Sequence, residues 1–202
     1  MNANVRPGSW LVVVGAGGGL GHLAGMHSFL GLDVVDANII PVQYARAQGA
    51  LVIGVDTGPG KREFVHGIGA QEFIDFATED PVKKVHELTG LGAHAVVVTA
   101  GSAKAFAHAC DMLRVGGSLS CVGIPPGKPH LETPICTIVI KGLKITGNLV
   151  GSLKECMEAV DLVRRGIVKP VIKVRPFRDL AQIYEEMERG DIAGRVVLQV
   201  AQ

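Results

Sequence analysis

The sequence has no clustered metal ligands. Its four cysteines, Cys110, Cys121, Cys136 and Cys156, stand apart. None forms a C-x-x-C or C-x-x-H pair, which argues against a zinc site and for reduced, mostly buried thiols. The seven histidines are as scattered, and neither a His-Glu-x-x-His nor a Ser-His-Asp grouping is visible. An excess of one charge is missing too. The net charge is +1, so there is no electrostatic footprint for nucleic acid or an anionic membrane. No apolar run approaches the ~20 residues that a membrane span needs. Residues Met1 to Ser9 lack the apolar centre of a signal peptide, so a cytoplasmic location is expected. What remains is a chain of 202 residues, 48% hydrophobic. That is enough for one domain with a real core, or one domain and a piece of another.

The most informative stretch is Leu11-Val-Val-Val-Gly-Ala-Gly-Gly-Gly-Leu-Gly-His-Leu-Ala24. Four apolar residues read as a buried strand, a glycine turn follows at once, and Gly-His-Leu-Ala reads as a helix start. Strand, glycine turn and helix N-terminus together make a phosphate site, because the turn lets backbone N–H groups approach an anion. The frame is Ala16-x-Gly18-x-x-Gly21, with alanine where a strict G-x-G-x-x-G has its first glycine. A second apolar run, Leu51-Val-Ile-Gly-Val55, leads directly to Asp56. A carboxylate there accepts hydrogen bonds from an adenosine ribose and repels a 2′-phosphate, which favours NAD over NADP.

The spacing between the two halves is wrong. Gly21 and Asp56 lie much further apart than the roughly 20 residues expected. Removing residues 25–41 corrects it and joins Gly-His-Leu-Ala24 to Val42-Gln-Tyr-Ala-Arg-Ala-Gln-Gly49 as one amphipathic helix. Gly25-Met26, Ala37-Asn38 and Pro41-Val42 can be encoded with the donor, branch-point and acceptor signals of a short intron. Residues 25–41 are therefore read as a translated intron rather than a genuine loop. Left in place, they are expected to weaken the phosphate site by interrupting the first helix.

The rest alternates. Short strands are expected at Glu72–Asp75, Ala95–Thr99, Ser118–Val122 and Leu143–Gly147. Helices are expected from Lys61 to Gly67, after the Asp80-Pro81 cap, from Ser102 to a stop at Gly116-Gly117, and from the Ser152/Glu155 capping box to Gly166. In the third of these, Phe106, Ala109 and Leu113 face inward. Such alternation predicts an α/β fold: a Rossmann-type doubly wound parallel sheet with helices on both faces. Its ligand crevice lies at the carboxyl ends of the strands, along Gly15–Gly21, Asp56, Thr99–Gly101, Val122–Gly123 and Leu149–Val150. Residues 171–202 break the rhythm as a strand–helix–strand tail. Its helix carries Leu180, Ile183, Tyr184 and Met187 on one face.

The chain resembles the zinc-dependent alcohol dehydrogenases of the medium-chain dehydrogenase/reductase superfamily, closest to the yeast type. The resemblance is carried by the stretch Val13–Ala24, by Val42–Ala47, Gly54-Val-Asp56, Glu72–Phe76 and Val122-Gly-Ile-Pro125, and by Arg164–Lys169 and Ile183–Arg195. It covers nearly everything except residues 25–41. It implies that residues 1–170 are an NAD-binding Rossmann domain. Residues 171–202 would be a tail that packs on a catalytic domain supplying zinc and most of the alcohol pocket. The cofactor site implied is Gly15, Gly17, Gly18, Gly19, Leu20 and Gly21 at the pyrophosphate with Arg195, and Asp56 and Lys61 at the ribose. Backbone near Val122 and Gly123 would meet the nicotinamide carboxamide.

No catalytic residue and no zinc ligand is implied in this chain. The expected function is therefore the NAD-binding part of an oxidoreductase interconverting a small alcohol and an aldehyde or ketone, inactive on its own. The tail's apolar face is expected to lack its partner, and copies are expected to associate through the sheet edge. Two other functions compete. One is a stand-alone NAD-binding module without catalysis. The other is an NADPH-dependent quinone reductase, against which Asp56 argues.

Overall fold

In the computed structural model, residues 6–23, 42–150 and 152–200 are described. The segment read as an intron, residues 25–41, lies outside them. Six strands form one parallel sheet: β1 (Trp10–Val14), β2 (Leu51–Asp56), β3 (Glu72–Asp75), β4 (Ala93–Val98), β5 (Leu113–Cys121) and β6 (Lys144–Gly147). Their order is β3-β2-β1-β4-β5-β6, and every pairing is parallel. This is the doubly wound arrangement expected, with β1 and β4 adjacent at the point where the strand order reverses.

β1, β2 and β4 are almost wholly apolar because both faces of the sheet are covered there. Leu11, Val13, Ala95 and Val97 face α2 (Val42–Ala47), α3 (Lys61–Gly67) and α7 (Leu153–Arg164), which contribute Tyr44, Val65 and Leu162. Val12, Val14, Val96 and Val98 face the other way, towards Val85 of α4 (Pro81–Thr89) and Ala109. The expected caps form. The Asp80 carboxylate accepts from the N–H groups of Val82 and Lys83, and Ser152 and Glu155 make a reciprocal capping box.

The region after β4 corrects the sequence reading. The helix capped at Ser102 is only α5 (Ala103–Ala107), and Ser102 makes no side-chain cap bond. Leu113 lies in β5, which runs through Gly116-Gly117 to Cys121. Gly116 has φ +73°. Such a glycine suits a helix stop or a strand irregularity equally, and pairing with β4 decides for the strand. The register jumps there, from Ala93 beside Leu113 to Ala95 beside Ser118. A further helix, α6 (Ile135–Lys141), forms where none was expected. Of the four thiols, Cys110 is buried, Cys121 and Cys156 are half-buried and Cys136 is exposed. Burial pushes Cys110 and Cys121 above the usual thiol range.

The tail forms as a strand–helix–strand unit. β7 (Ile172–Pro176) and β8 (Arg195–Gln199) pair in parallel as a separate two-stranded sheet. Between them lies α8 (Leu180–Arg189). Ile172, Val174, Phe177 and Val197 are exposed. Among the described residues, no helix is long and apolar enough to cross a membrane.

At the amino ends of the strands, His94 ties β4 to β1. Its Nδ1 accepts the Trp10 N–H at 3.1 Å, and Arg114 Nη1 stands 2.7 Å from its Nε2. Burial, and then the Arg114 charge, hold its pKa below the ordinary histidine value. The unfolded chain therefore binds a proton that the folded chain resists. This contribution to stability is complete above about pH 6.5 and is lost as the pH falls below it. We expect the wild type to lose more thermal stability than His94→Gln between about pH 7.5 and pH 5.5 in melting experiments. Equal losses in the two proteins would remove His94 as the cause.

Candidate dinucleotide site

The register builds the site. Val14 pairs with both Val55 and Val98, so the next residues of the three strands, Gly15, Asp56 and Thr99, emerge side by side. The Thr99 hydroxyl donates to the Val14 carbonyl at 2.9 Å, fastening the end of β4 to the turn. Gly15 has φ +86°, and a Cβ on it would lie 2.9 Å from the Ala100 nitrogen. Glycine is needed here both for its conformation and for room.

From this point the turn runs through Gly17, Gly18 and Gly19 into α1 (Gly19–Leu23). The Gly18 N–H donates to the Gly15 carbonyl at 3.1 Å, closing the turn. Gly21 sits on that turn so closely that a Cβ would be 2.0 Å from the Gly15 oxygen. Leu20 is exposed at the rim.

The Asp56 carboxylate meets the turn directly. Its Oδ2 accepts the Gly17 N–H at 2.7 Å, and its Oδ1 accepts the Thr57 N–H at 2.8 Å. Lys61 is buried at 4% exposure. Its ammonium stands 4.0 Å from Asp56 and donates to the Ile192 carbonyl at 2.9 Å. Arg195 is exposed, and its guanidinium donates to the Gly19 carbonyl at 3.2 Å. Two residues far apart in sequence are thus brought to the same turn.

These groups border a cleft of about 1200 Å³ at the carboxyl ends of β1, β2 and β4. Gly15, Gly18, Gly19, Leu20, Gly21, Asp56, Lys61 and Arg195 line it, as do Thr99, Ala100 and Gly101. The far wall was not foreseen. It is the apolar face of α8, where Leu180, Ile183, Tyr184 and Met187 line the cleft. Only Ile183 of these is fully buried.

Gly17, Val122 and Gly123 lie outside the lining, as do Leu149 and Val150. The N–H groups of Val122 and Gly123 both donate to the Val98 carbonyl. A Cβ on Gly123 would sit 2.1 Å from the Ala100 oxygen. The chain just beyond β5 is therefore packed against Ala100.

A dinucleotide fits these residues. The glycine turn borders the cleft, and a carboxylate stands at the end of the second strand beside it. Among the described residues, no three His, Cys, Asp or Glu side chains group as metal ligands.

Residues 39–165 match the family model described as zinc-binding dehydrogenase. Alcohol dehydrogenase 1 of Emericella nidulans is 39% identical over 201 residues, covering 98% of this chain and 52% of the relative. The alcohol dehydrogenase of Schizosaccharomyces pombe is 38% identical over 200 residues, again covering 98% and 52%. The alcohol dehydrogenase structure from the archaeon Aeropyrum pernix superposes with a TM-score of 0.82 at 29% identity, covering 98% of this chain and 52% of that one. The chain spans about half the length of the curated relatives it matches.

Proposed function

The chain belongs to the zinc-binding dehydrogenase family, and from that we propose that it is the NAD-binding part of an alcohol dehydrogenase-like oxidoreductase. The observation that carries this reading is the 2.7 Å bond between the Gly17 N–H and Asp56, which joins the glycine turn to the acid of the second strand. The turn would hold the pyrophosphate, with Arg195 alongside, and Asp56 and Lys61 would meet the adenosine ribose. Val122 and Gly123 would approach the nicotinamide only through their backbone. Bound NAD would supply the hydride acceptor for a small alcohol.

In this reading residues 1–170 are the dinucleotide domain. Residues 171–202 are a tail whose exposed Val174 and Phe177 would lie against a further domain bearing the zinc. The exposed Ile135, Val139 and Ile140 of α6, with Ile145 on the β6 edge, favour association of copies at that edge.

Calorimetric titration of the recombinant 202-residue chain tests the reading. NAD+ is expected to bind at least about tenfold tighter than NADP+, a difference of about 1.4 kcal/mol. The same protein is expected to leave ethanol unoxidised. Absence of NAD+ binding, or a preference for NADP+, would overturn the assignment.

A further inference from the structure

Lys61 opens α3 beneath the glycine turn, yet its ammonium reaches the tail. It donates to the carbonyl of Ile192, in the connection between α8 and β8, at 2.9 Å. Two other bonds join the same segment to the turn. The Gly194 N–H donates to the Gly17 carbonyl at 3.1 Å, and Arg195 donates to the Gly19 carbonyl at 3.2 Å. Gly17 is the centre of the arrangement. Its N–H goes to Asp56, its carbonyl receives Gly194, and a Cβ on it would meet the Lys61 stem at 2.6 Å.

Of the two side chains holding the segment, Arg195 is exposed and Lys61 is buried. A buried ammonium keeps its position only where acceptors surround it. Here those are the Ile192 carbonyl and, at 4.0 Å, the Asp56 carboxylate.

We infer that Lys61 is a positioning residue that clasps residues 192–195 onto the glycine turn, making the tail a working part of the dinucleotide site. This rests on the reading that the turn binds a dinucleotide. It goes beyond a ribose contact for Lys61: removing the ammonium releases the tail even when no ligand is bound. The loss of affinity then includes the loss of the tail as a wall of the cleft.

Amide hydrogen exchange on the unliganded 202-residue chain separates these roles. The Gly194 amide reports the clasp. The Arg195 amide, bonded to the Val171 carbonyl within the tail, and the Thr99 amide, bonded to the Val14 carbonyl in the main sheet, are internal controls. In Lys61→Met we expect Gly194 to exchange at least about tenfold faster while Arg195 and Thr99 change less than about twofold. Unchanged exchange at Gly194 overturns the inference and leaves Lys61 as a ligand contact. If Lys61→Met does not fold, the comparison passes to Lys61→Gln, one atom shorter and neutral, which is expected to give the same selective acceleration. Equal acceleration of all three amides in that variant overturns the inference in favour of a general stabilising role. Titration of the wild type with NAD+ is read separately. Its failure retires the dinucleotide reading, while the exchange result still decides the clasp.

Discussion

Gly21→Ala is expected to abolish high-affinity NAD+ binding, whereas Gly18→Ala is expected to leave it nearly intact. The two glycines sit in the same turn, and the space around them differs. A Cβ at Gly21 would lie 2.0 Å from the Gly15 oxygen, 2.7 Å from Ala16 Cα and 2.8 Å from the Ala16 carbonyl carbon. All three are backbone atoms, so no side chain can swing aside. The start of α1 must move off the turn, and overpacking of this kind costs about 1–3 kcal/mol or more. Movement of α1 carries Gly19 away from Arg195 and opens the turn that would face the pyrophosphate.

At Gly18 the only close atom among the described residues is the Gly15 oxygen, at 3.4 Å, an ordinary contact. We expect Gly21→Ala to weaken NAD+ binding by on the order of 100-fold, and Gly18→Ala by less than about threefold. Calorimetric titration of both variants checks the difference, with melting temperatures recorded alongside. Similar losses in the two would show that crowding against Gly15 is not what fixes the residue at position 21.

Asp56→Ala is expected to invert the preference between NAD+ and NADP+. The carboxylate now accepts from Gly17 and Thr57 and stands 4.0 Å from the buried Lys61. At that distance and an effective dielectric constant near 20, the gross attraction is about 4 kcal/mol before desolvation is subtracted. Alanine removes the acceptor for ribose hydroxyls and leaves Lys61 next to the vacated space. A 2′-phosphate that the carboxylate repelled would then meet an ammonium instead. The ratio of NAD+ to NADP+ affinity is expected to fall on the order of 100-fold, NAD+ weakening and NADP+ strengthening. Parallel titrations with the two cofactors measure it. A ratio that stays constant while both affinities fall would mean that Asp56 serves the turn's geometry and not cofactor choice.

Much of this architecture was legible from short-range pattern. Leu11–Val14 and Leu51–Val55 read as buried strands because both sheet faces are covered, so their residues are apolar without alternation. Asp80 and Ser152 marked helix starts because their capping bonds reach only two or three residues ahead. The failures lie where distant partners decide. Leu113 to Gly117 has the spacing of a helix end, and becomes strand only because β4 offers it a ladder. Ile135 to Lys141 is rich in β-branched residues, which disfavour helix, and Ile135, Val139 and Ile140 give no amphipathic signature because all three face outward. In the site, Gly15 to Gly21 and Asp56 were visible in sequence. The contacts of Lys61 with Ile192 and of Gly17 with Gly194 were not, since no local pattern encodes a bond across more than a hundred residues. Packing of Gly123 against Ala100 was hidden for the same reason.

The strand order divides the sheet into two halves. β1, β2 and β3 form one parallel run and β4, β5 and β6 another, and a single ladder, Leu11–Val14 against Ala95–Val98, joins them. Each run pairs strands that are nearer in the chain than β1 is to β4. The joining ladder spans the longest stretch of chain between paired strands of the sheet. Gly15 and Thr99, whose hydroxyl fastens the turn, lie at the end of that ladder. The cleft sits across that joint, so two half-sheets formed but not joined would leave it without its shape.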